Sequence, residues 1–191
     1  MVFGRSAGNH IVDAVKKSAA NHKDLPKDAS DLTESRLARL ENTTTGEYAQ
    51  DVANNIRGTM QKHAGVFRTQ ALLDEGVTAI MDVAEQVKNI HLRDKSKVFN
   101  TARVEALEVD NLIEVAKATM VSAAARRECR GAHTVVDYEH GADHPKYPLG
   151  RNDEEWMKHT LWYQDGNRLA YKPVNLKPLT VDTVPPKPRT F

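Results

Sequence analysis

The chain has 191 residues, 40% of them hydrophobic and 28% charged, with 27 basic residues against 26 acidic ones and a formal charge of +1. This apolar share with balanced charge argues against a disordered chain, and the lack of a basic excess argues against a broad nucleic-acid surface. No uninterrupted apolar run reaches the roughly 20 residues of a membrane span, so direct membrane insertion is not expected and a soluble globular protein is.

Proline divides the chain. Pro26 is the only proline before Pro145, and the other seven fall between Pro145 and Pro188. Proline removes a backbone donor and clashes inside helices, so the first two-thirds read as helical and the last third as irregular. Val2 to Ala20 reads as one helix with Phe3, Ile11, Val12 and Val15 as its apolar positions and Gly4 and Gly8 one turn apart. It opens on Met1-Val2-Phe3, which neither caps a helix nor has a signal-peptide layout. Asn21 to Asp31, with Leu25-Pro26, is a linker.

From Asp31 the helical pattern resumes through Leu32, Leu37 and Leu40, then breaks at Thr43-Thr44-Thr45-Gly46. The next helix carries Tyr48, Val52, Ile56 and Met60 at four-residue spacing and continues to Val66 and Phe67. A third runs from Thr69 to Ile90 with Leu72, Leu73, Val77, Ile80, Met81, Val83 and Val87. After the charged connection His91 to Phe99, Asn100 or Thr101 caps a long helix, with Glu105 in its first turn and Gly131 at its end. Val104, Leu107, Leu112, Val115 and Val121 are its apolar positions. Three helices of about 20 to 27 residues with short links predict an antiparallel bundle, whose stripes form its core.

Beyond Gly131 the period changes. Asp153 to Lys158 reads as a short helix with an acidic start. Thr160 to Tyr163 and Arg168 to Tyr171 then read as a β-hairpin around a tight Asp165-Gly166 turn. Val184 to Phe191 is extended, and no internal repeat is visible. The predicted fold is mainly α: a three-helix antiparallel bundle over residues 28–130, followed by a small α+β C-terminal domain with a β-hairpin over residues 131–191.

Three clusters carry candidate chemistry. His140, Asp143 and His144 are potential zinc ligands, but Gly141 and Pro145 place them on a loop, and no second ligand pair stands out. A solvated loop is the reading, and no metal site is assigned. Cys129 has Arg126, Arg127 and Arg130 beside it, which lower a thiol pKa. It also sits near a helix C-terminus, whose dipole opposes a thiolate, and no base can be assigned to it. As the sole cysteine it forms no internal disulfide, which fits a reducing, cytoplasmic setting. The three arginines either neutralise terminal helix carbonyls or bind a carboxylate or phosphate in bidentate fashion. Arg130-Gly131-Ala132-His133 fits a tight chain reversal that aims Arg130 and His133 at a neighbouring surface, leaving anion contact and structural contact between domains both open. There is no Gly-rich dinucleotide loop, P-loop, Gly-x-Ser-x-Gly or Cys-x-x-Cys, so no catalytic, cofactor-binding or metal residue is assigned.

Arg127-Glu128-Cys129-Arg130-Gly131-Ala132-His133 resembles the Glu-Ser-Arg-Gly-Ala-His signature of the succinate dehydrogenase and fumarate reductase flavoprotein family, with Cys129 where serine is most frequent. Val2-Phe3-Gly4-Arg5-Ser6-Ala7-Gly8 is similar to the helix that closes the family's flavin-binding domain, which gives residues 1–20 that role. Val98-Phe99-Asn100-Thr101 and Glu105 to Leu112 are similar to the start of its third bundle helix. Arg151-Asn152-Asp153 and Trp156 to Leu161 resemble its Asp-rich turn and His-Thr/Ser-Leu strand. Tyr171 to Asn175 and the closing Val184 to Phe191 resemble the succinate dehydrogenase branch more than fumarate reductases or L-aspartate oxidases.

The resemblance implies a parent oxidoreductase that oxidises succinate to fumarate with FAD and passes electrons to an iron–sulphur subunit and quinone, in the tricarboxylic acid cycle and respiratory chain. The family's FAD-binding loop, flavin-linked histidine, substrate residues and catalytic arginine all precede the Val-Phe-Gly-Arg helix, so none is carried onto this chain. A truncated C-terminal scaffold is therefore expected, inactive alone and with no cofactor bound to it, and the uncapped start fits such a segment. Its expected partners are the parent's flavin-binding domain, with Arg130 and His133 as the contact or as a flavin-side contact, and the iron–sulphur subunit. Its expected location is cytoplasmic, peripheral on the inner membrane. The alternatives are a stand-alone helical interaction or assembly protein, whose first helix would pack on the bundle, and the C-terminal part of a fumarate reductase or L-aspartate oxidase.

Overall fold

A computed structural model describes residues 2–17, 24–145 and 147–187. The end of the first predicted helix at Ser18 to Ala20 and the closing Pro188 to Phe191 lie outside the described residues. The chain divides into two compact units, Met1–Leu37 and Ala38–Phe191.

In the first unit, α1 (Val2–Lys17) buries none of its residues, and Val2, Phe3, Ile11, Val12 and Val15 are all exposed. Lys16 and Lys17 in its last turn suit the negative end of the helix dipole. α2 (Asp31–Asn42) starts with Asp31 and Glu34, which suit the opposite end, and its later residue Leu40 joins the core of the second unit.

The second unit is built on α3 (Ala49–His63), α4 (Gln70–Lys88) and α5 (Thr101–Ala125). Each packs on the other two. Their directions follow from contacts at the ends. Glu47, just before α3, bridges Ile90, just after α4, and Gln70 at the start of α4 donates to the Ala124 carbonyl near the end of α5 (2.9 Å). Neighbours in sequence therefore run antiparallel, as short links require. The shared core contains Val52 and Ile56 of α3, Leu73, Ile80 and Val87 of α4, and Ala106, Val109, Ile113 and Met120 of α5. At Gly76 a Cβ would sit 2.6 Å from His63 Cβ and 2.7 Å from Met120 Sδ, so the three helices meet where only glycine fits.

Asn100 is the cap of α5. Its side chain accepts from the Arg103 amide (2.9 Å) and donates to the Asp94 and Ser96 carbonyls (both 2.9 Å). Asn100→Ala is expected to cost about 1 kcal/mol through loss of the cap, read as a lower denaturant midpoint at unchanged slope.

The helices are shorter than their stripes suggest, at 15, 19 and 25 residues. α3 stops at His63, leaving Val66 and Phe67 exposed in a loop that Arg68 Nε pins through the Gly65 carbonyl (2.8 Å). α5 stops at Ala125 rather than near Gly131, because Arg126 turns extended and its guanidinium bonds the carbonyls of Trp156 and Lys158. Glu105 falls beyond the first turn of α5, and Val104 and Val115 stay exposed. The buried face is instead Ala106, Val109, Ile113, Ala116 and Met120, a mixture of small and large residues that lets the neighbouring helices approach.

After α5 come the one-turn helix α6 (Asp153–Trp156) and the antiparallel hairpin β1 (Lys158–Tyr163) and β2 (Arg168–Pro173), with Thr160 opposite Tyr171 and Trp162 opposite Leu169. Asn152 caps α6 by accepting from the Glu155 amide (3.1 Å). The hairpin turn is wider than a two-residue Asp-Gly turn: Gln164 to Asn167 link the strands, with left-handed backbone at Gly166 (φ 62°) and Asn167 (φ 51°). β1 packs on α5. Among the described residues no helix is long and apolar enough to cross a membrane.

Candidate functional site

Arg126 leaves α5 with extended backbone and the chain bends at Glu128, where the guanidiniums of Arg126 and Arg130 converge on one carboxylate. Glu128 is fully buried, and its carboxylate accepts four hydrogen bonds. Oε1 takes Arg126 Nη1 (2.6 Å) and Arg130 Nε (2.7 Å), and Oε2 takes Arg130 Nη2 (3.0 Å) and the Asn152 amide (2.9 Å). A buried carboxylate is tolerated only when paired and saturated with donors, and both conditions hold here.

The cluster extends on both sides. Arg126 donates to the Trp156 and Lys158 carbonyls and to Thr160 Oγ1, and its guanidinium lies 5.1 Å from the Trp156 ring centroid. Arg130 Nη2 also reaches Asp153 Oδ1 (2.6 Å), and Arg151 grips both oxygens of Asp153 at 2.6 Å. The Arg151 guanidinium and then that of Arg130 hold the Asp153 carboxyl below the usual carboxylate range, against the effect of burial. Burial opposes the Arg130 charge, but Glu128 and Asp153 outweigh it and raise its affinity for the proton. Arg126 and Arg130 thus bind carboxylates of their own chain rather than the last carbonyls of α5, while Arg127 donates to Tyr138 Oη (3.3 Å).

Arg130 and His133 exchange backbone hydrogen bonds (2.8 and 3.0 Å) across Gly131-Ala132, and Gly131 adopts φ 60°, so the tight reversal is present. His133 faces inward: Nδ1 meets Arg68 Nη1 and Nε2 meets the Arg126 carbonyl, both at 2.9 Å. Sequence brings Arg130 and His133 together; it does not reveal Arg68, which lies 65 positions from His133.

Cys129 is held by its backbone, whose amide donates to the Gly150 carbonyl (2.8 Å), and its Sγ contacts both the carbonyl and the amide of Val135. Burial first, and the carboxylates of Glu139 and Glu128 next, push its thiol up, against the Val135 hydrogen bond. A raised thiol is a poor nucleophile at neutral pH. The His140 and His144 rings stack at 4.3 Å with 15° between planes, and His144 Nδ1 accepts from the Tyr147 amide (2.9 Å). Parallel stacked rings point their nitrogens alongside one another rather than toward one centre. Among the described residues no three His, Cys, Asp or Glu side chains converge to hold a metal.

Residues 53–191, which include the whole cluster and the hairpin, match the family model described as fumarate reductase flavoprotein C-term. The chain belongs to this flavoprotein family. It is 39% identical to the succinate dehydrogenase flavoprotein subunit of Coxiella burnetii over 99% of its length, and 40% identical to that of Rickettsia bellii over all of it. These matches span 30% and 31% of the two curated relatives. Among solved structures, the FrdA chain of E. coli quinol fumarate reductase superposes with a TM-score of 0.78 at 29% identity, over 96% of this chain and 30% of that one. The bundle, cluster and hairpin therefore form the C-terminal architecture of a succinate dehydrogenase or fumarate reductase flavoprotein.

Proposed function

We propose that the chain is the scaffold portion of a succinate dehydrogenase flavoprotein, a subunit that oxidises succinate to fumarate with FAD as cofactor and delivers electrons through an iron–sulphur subunit to quinone. The observation that carries this reading is identity of 39–40% to succinate dehydrogenase flavoproteins along the chain, against 30% over 180 residues to the fumarate reductase flavoprotein subunit of Haemophilus influenzae. Residues 1–20 close the flavin-binding domain, residues 28–130 form the bundle, and residues 131–191 form the end domain. The location is cytoplasmic, at the face of the inner membrane.

The described residues do not fit FAD. A dinucleotide cradle needs a parallel strand, a Gly-rich turn and a helix, whereas the strands here are one antiparallel pair, and the guanidiniums of Arg126 and Arg130 are committed to Glu128 and Asp153. No step of the reaction is routed through this segment. Its part is mechanical: the Glu128 cluster locks the end of α5 to α6 and β1, and the partly exposed face of Arg130 is the contact offered to the flavin-binding domain, beside a turn that His133 steadies from within.

The purified chain is expected to be helical, colourless and unable to reduce a dye with succinate. A flavin absorption band or succinate-dependent reduction by pure material overturns the reading.

A further inference from the structure

The ring of His133 is held from both sides by groups that dictate its protonation. A guanidinium offers only hydrogens, so Nδ1, 2.9 Å from Arg68 Nη1, is the bare, accepting nitrogen. A carbonyl only accepts, so Nε2, 2.9 Å from the Arg126 oxygen, carries the hydrogen. The neutral ring satisfies both neighbours. A second proton has one place to go, Nδ1, where it meets the Arg68 N–H head on and sets two positive charges side by side.

Arg68 is also a backbone junction. Its carbonyl accepts from the Val136 amide (2.8 Å), its residue bridges Val135, and its Nε holds the Gly65 carbonyl (2.8 Å). The same two segments are joined by the Gln70 amide on Asp137 Oδ2 (2.7 Å) and by Tyr138 Oη on Gln70 Oε1 (2.9 Å).

We propose that Arg68, His133 and the Arg126 carbonyl form a proton-operated latch, closed on the neutral imidazole, which fastens the α3–α4 loop to the segment after α5 and opens when His133 gains a second proton. The charged groups acting on His133 are Arg68 from the loop and Arg126 and Glu128 from the segment after α5. Two guanidiniums outnumber one carboxylate, and that carboxylate is already shared between Arg126 and Arg130. Burial first, and the two guanidiniums with it, push His133 below the ordinary imidazole range, against the bond to the Arg126 carbonyl. A depressed value fixes the sign. The latch is fully closed above the ordinary histidine value of about 6.5 and is lost as pH falls through the lower folded value. What it steadies is the loop carrying Val66 and Phe67, 74% and 83% exposed.

The test follows His133 by NMR titration and Val136 by amide hydrogen exchange in the intact chain. Between the ordinary value of about 6.5 and the lower His133 midpoint, Val136 protection, corrected for intrinsic exchange, is expected to fall by up to about tenfold per pH unit, the slope of one proton, and to level off below the midpoint. Arg68→Met is expected to raise the His133 midpoint, because it removes a facing charge. His133→Gln keeps a donor and an acceptor without proton uptake and is expected to abolish the pH dependence, which decides the matter even if Arg68→Met does not fold. A wild-type midpoint at or above the ordinary value, flat Val136 protection, or pH dependence that survives in His133→Gln overturns the latch.

Discussion

Glu128→Ala is expected to remove about 3–5 kcal/mol of stability, enough to unfold a marginally stable chain, and to show as a collapse of the denaturant midpoint. The size follows from what is left behind. Arg126 and Arg130 each lose a charged acceptor, and the Asn152 amide loses its partner, all in a place where Glu128 itself is fully buried. Glu128→Gln separates shape from charge. It fills the same volume but turns an NH₂ toward guanidinium donors, so it is expected to lose less than alanine and still be clearly destabilised. An alanine variant within about 1 kcal/mol of wild type, the range of exposed ion pairs, would show that the cluster is a surface feature and not the lock between bundle and hairpin.

Gly150→Ala is the second large effect, at roughly 3 kcal/mol. Gly150 has φ 76°, a left-handed conformation that costs an L-residue about 1–2 kcal/mol. The added Cβ would also lie 2.3 Å from the Tyr138 carbonyl oxygen and 2.9 Å from Cys129 Cβ, and overpacking of this kind costs typically 1–3 kcal/mol. The Gly150 carbonyl receives the Cys129 amide, so a backbone shift there propagates directly to Glu128. Calorimetry should show a lowered Tm, with helical content below the transition unchanged.

Much of the architecture is legible in the chain because its signals are local. The four-residue spacing of Tyr48, Val52, Ile56 and Met60 marks α3, and the side chain of Asn100 marks where α5 begins. The end of α5 is not marked. Met120 to Ala125 continue a good helical pattern, and nothing nearby forbids Arg126 to Arg130 from joining it. The helix stops because Arg126 finds better partners in the Trp156 and Lys158 carbonyls, at least 30 residues further along.

The site divides in the same way. The reversal at Arg130 to His133 is readable from Gly131 and its neighbours, whereas the convergence of Arg126 and Arg130 on Glu128 follows from a bend at Glu128 that no local pattern marks. That Glu128 rather than a foreign anion holds the arginines, and that Arg68 closes on His133, depends on long-range packing that no local pattern carries.

The most direct measurement of the central claim is a chimera in which this chain replaces the C-terminal segment of the Coxiella burnetii succinate dehydrogenase flavoprotein, assayed for bound flavin and succinate-dependent dye reduction. An assembled, flavin-containing chimera that oxidises succinate is expected, with Arg130→Ala lowering its yield or flavin content. A soluble, folded chimera that neither retains flavin nor oxidises succinate contradicts the assignment of this chain as the scaffold of such a subunit.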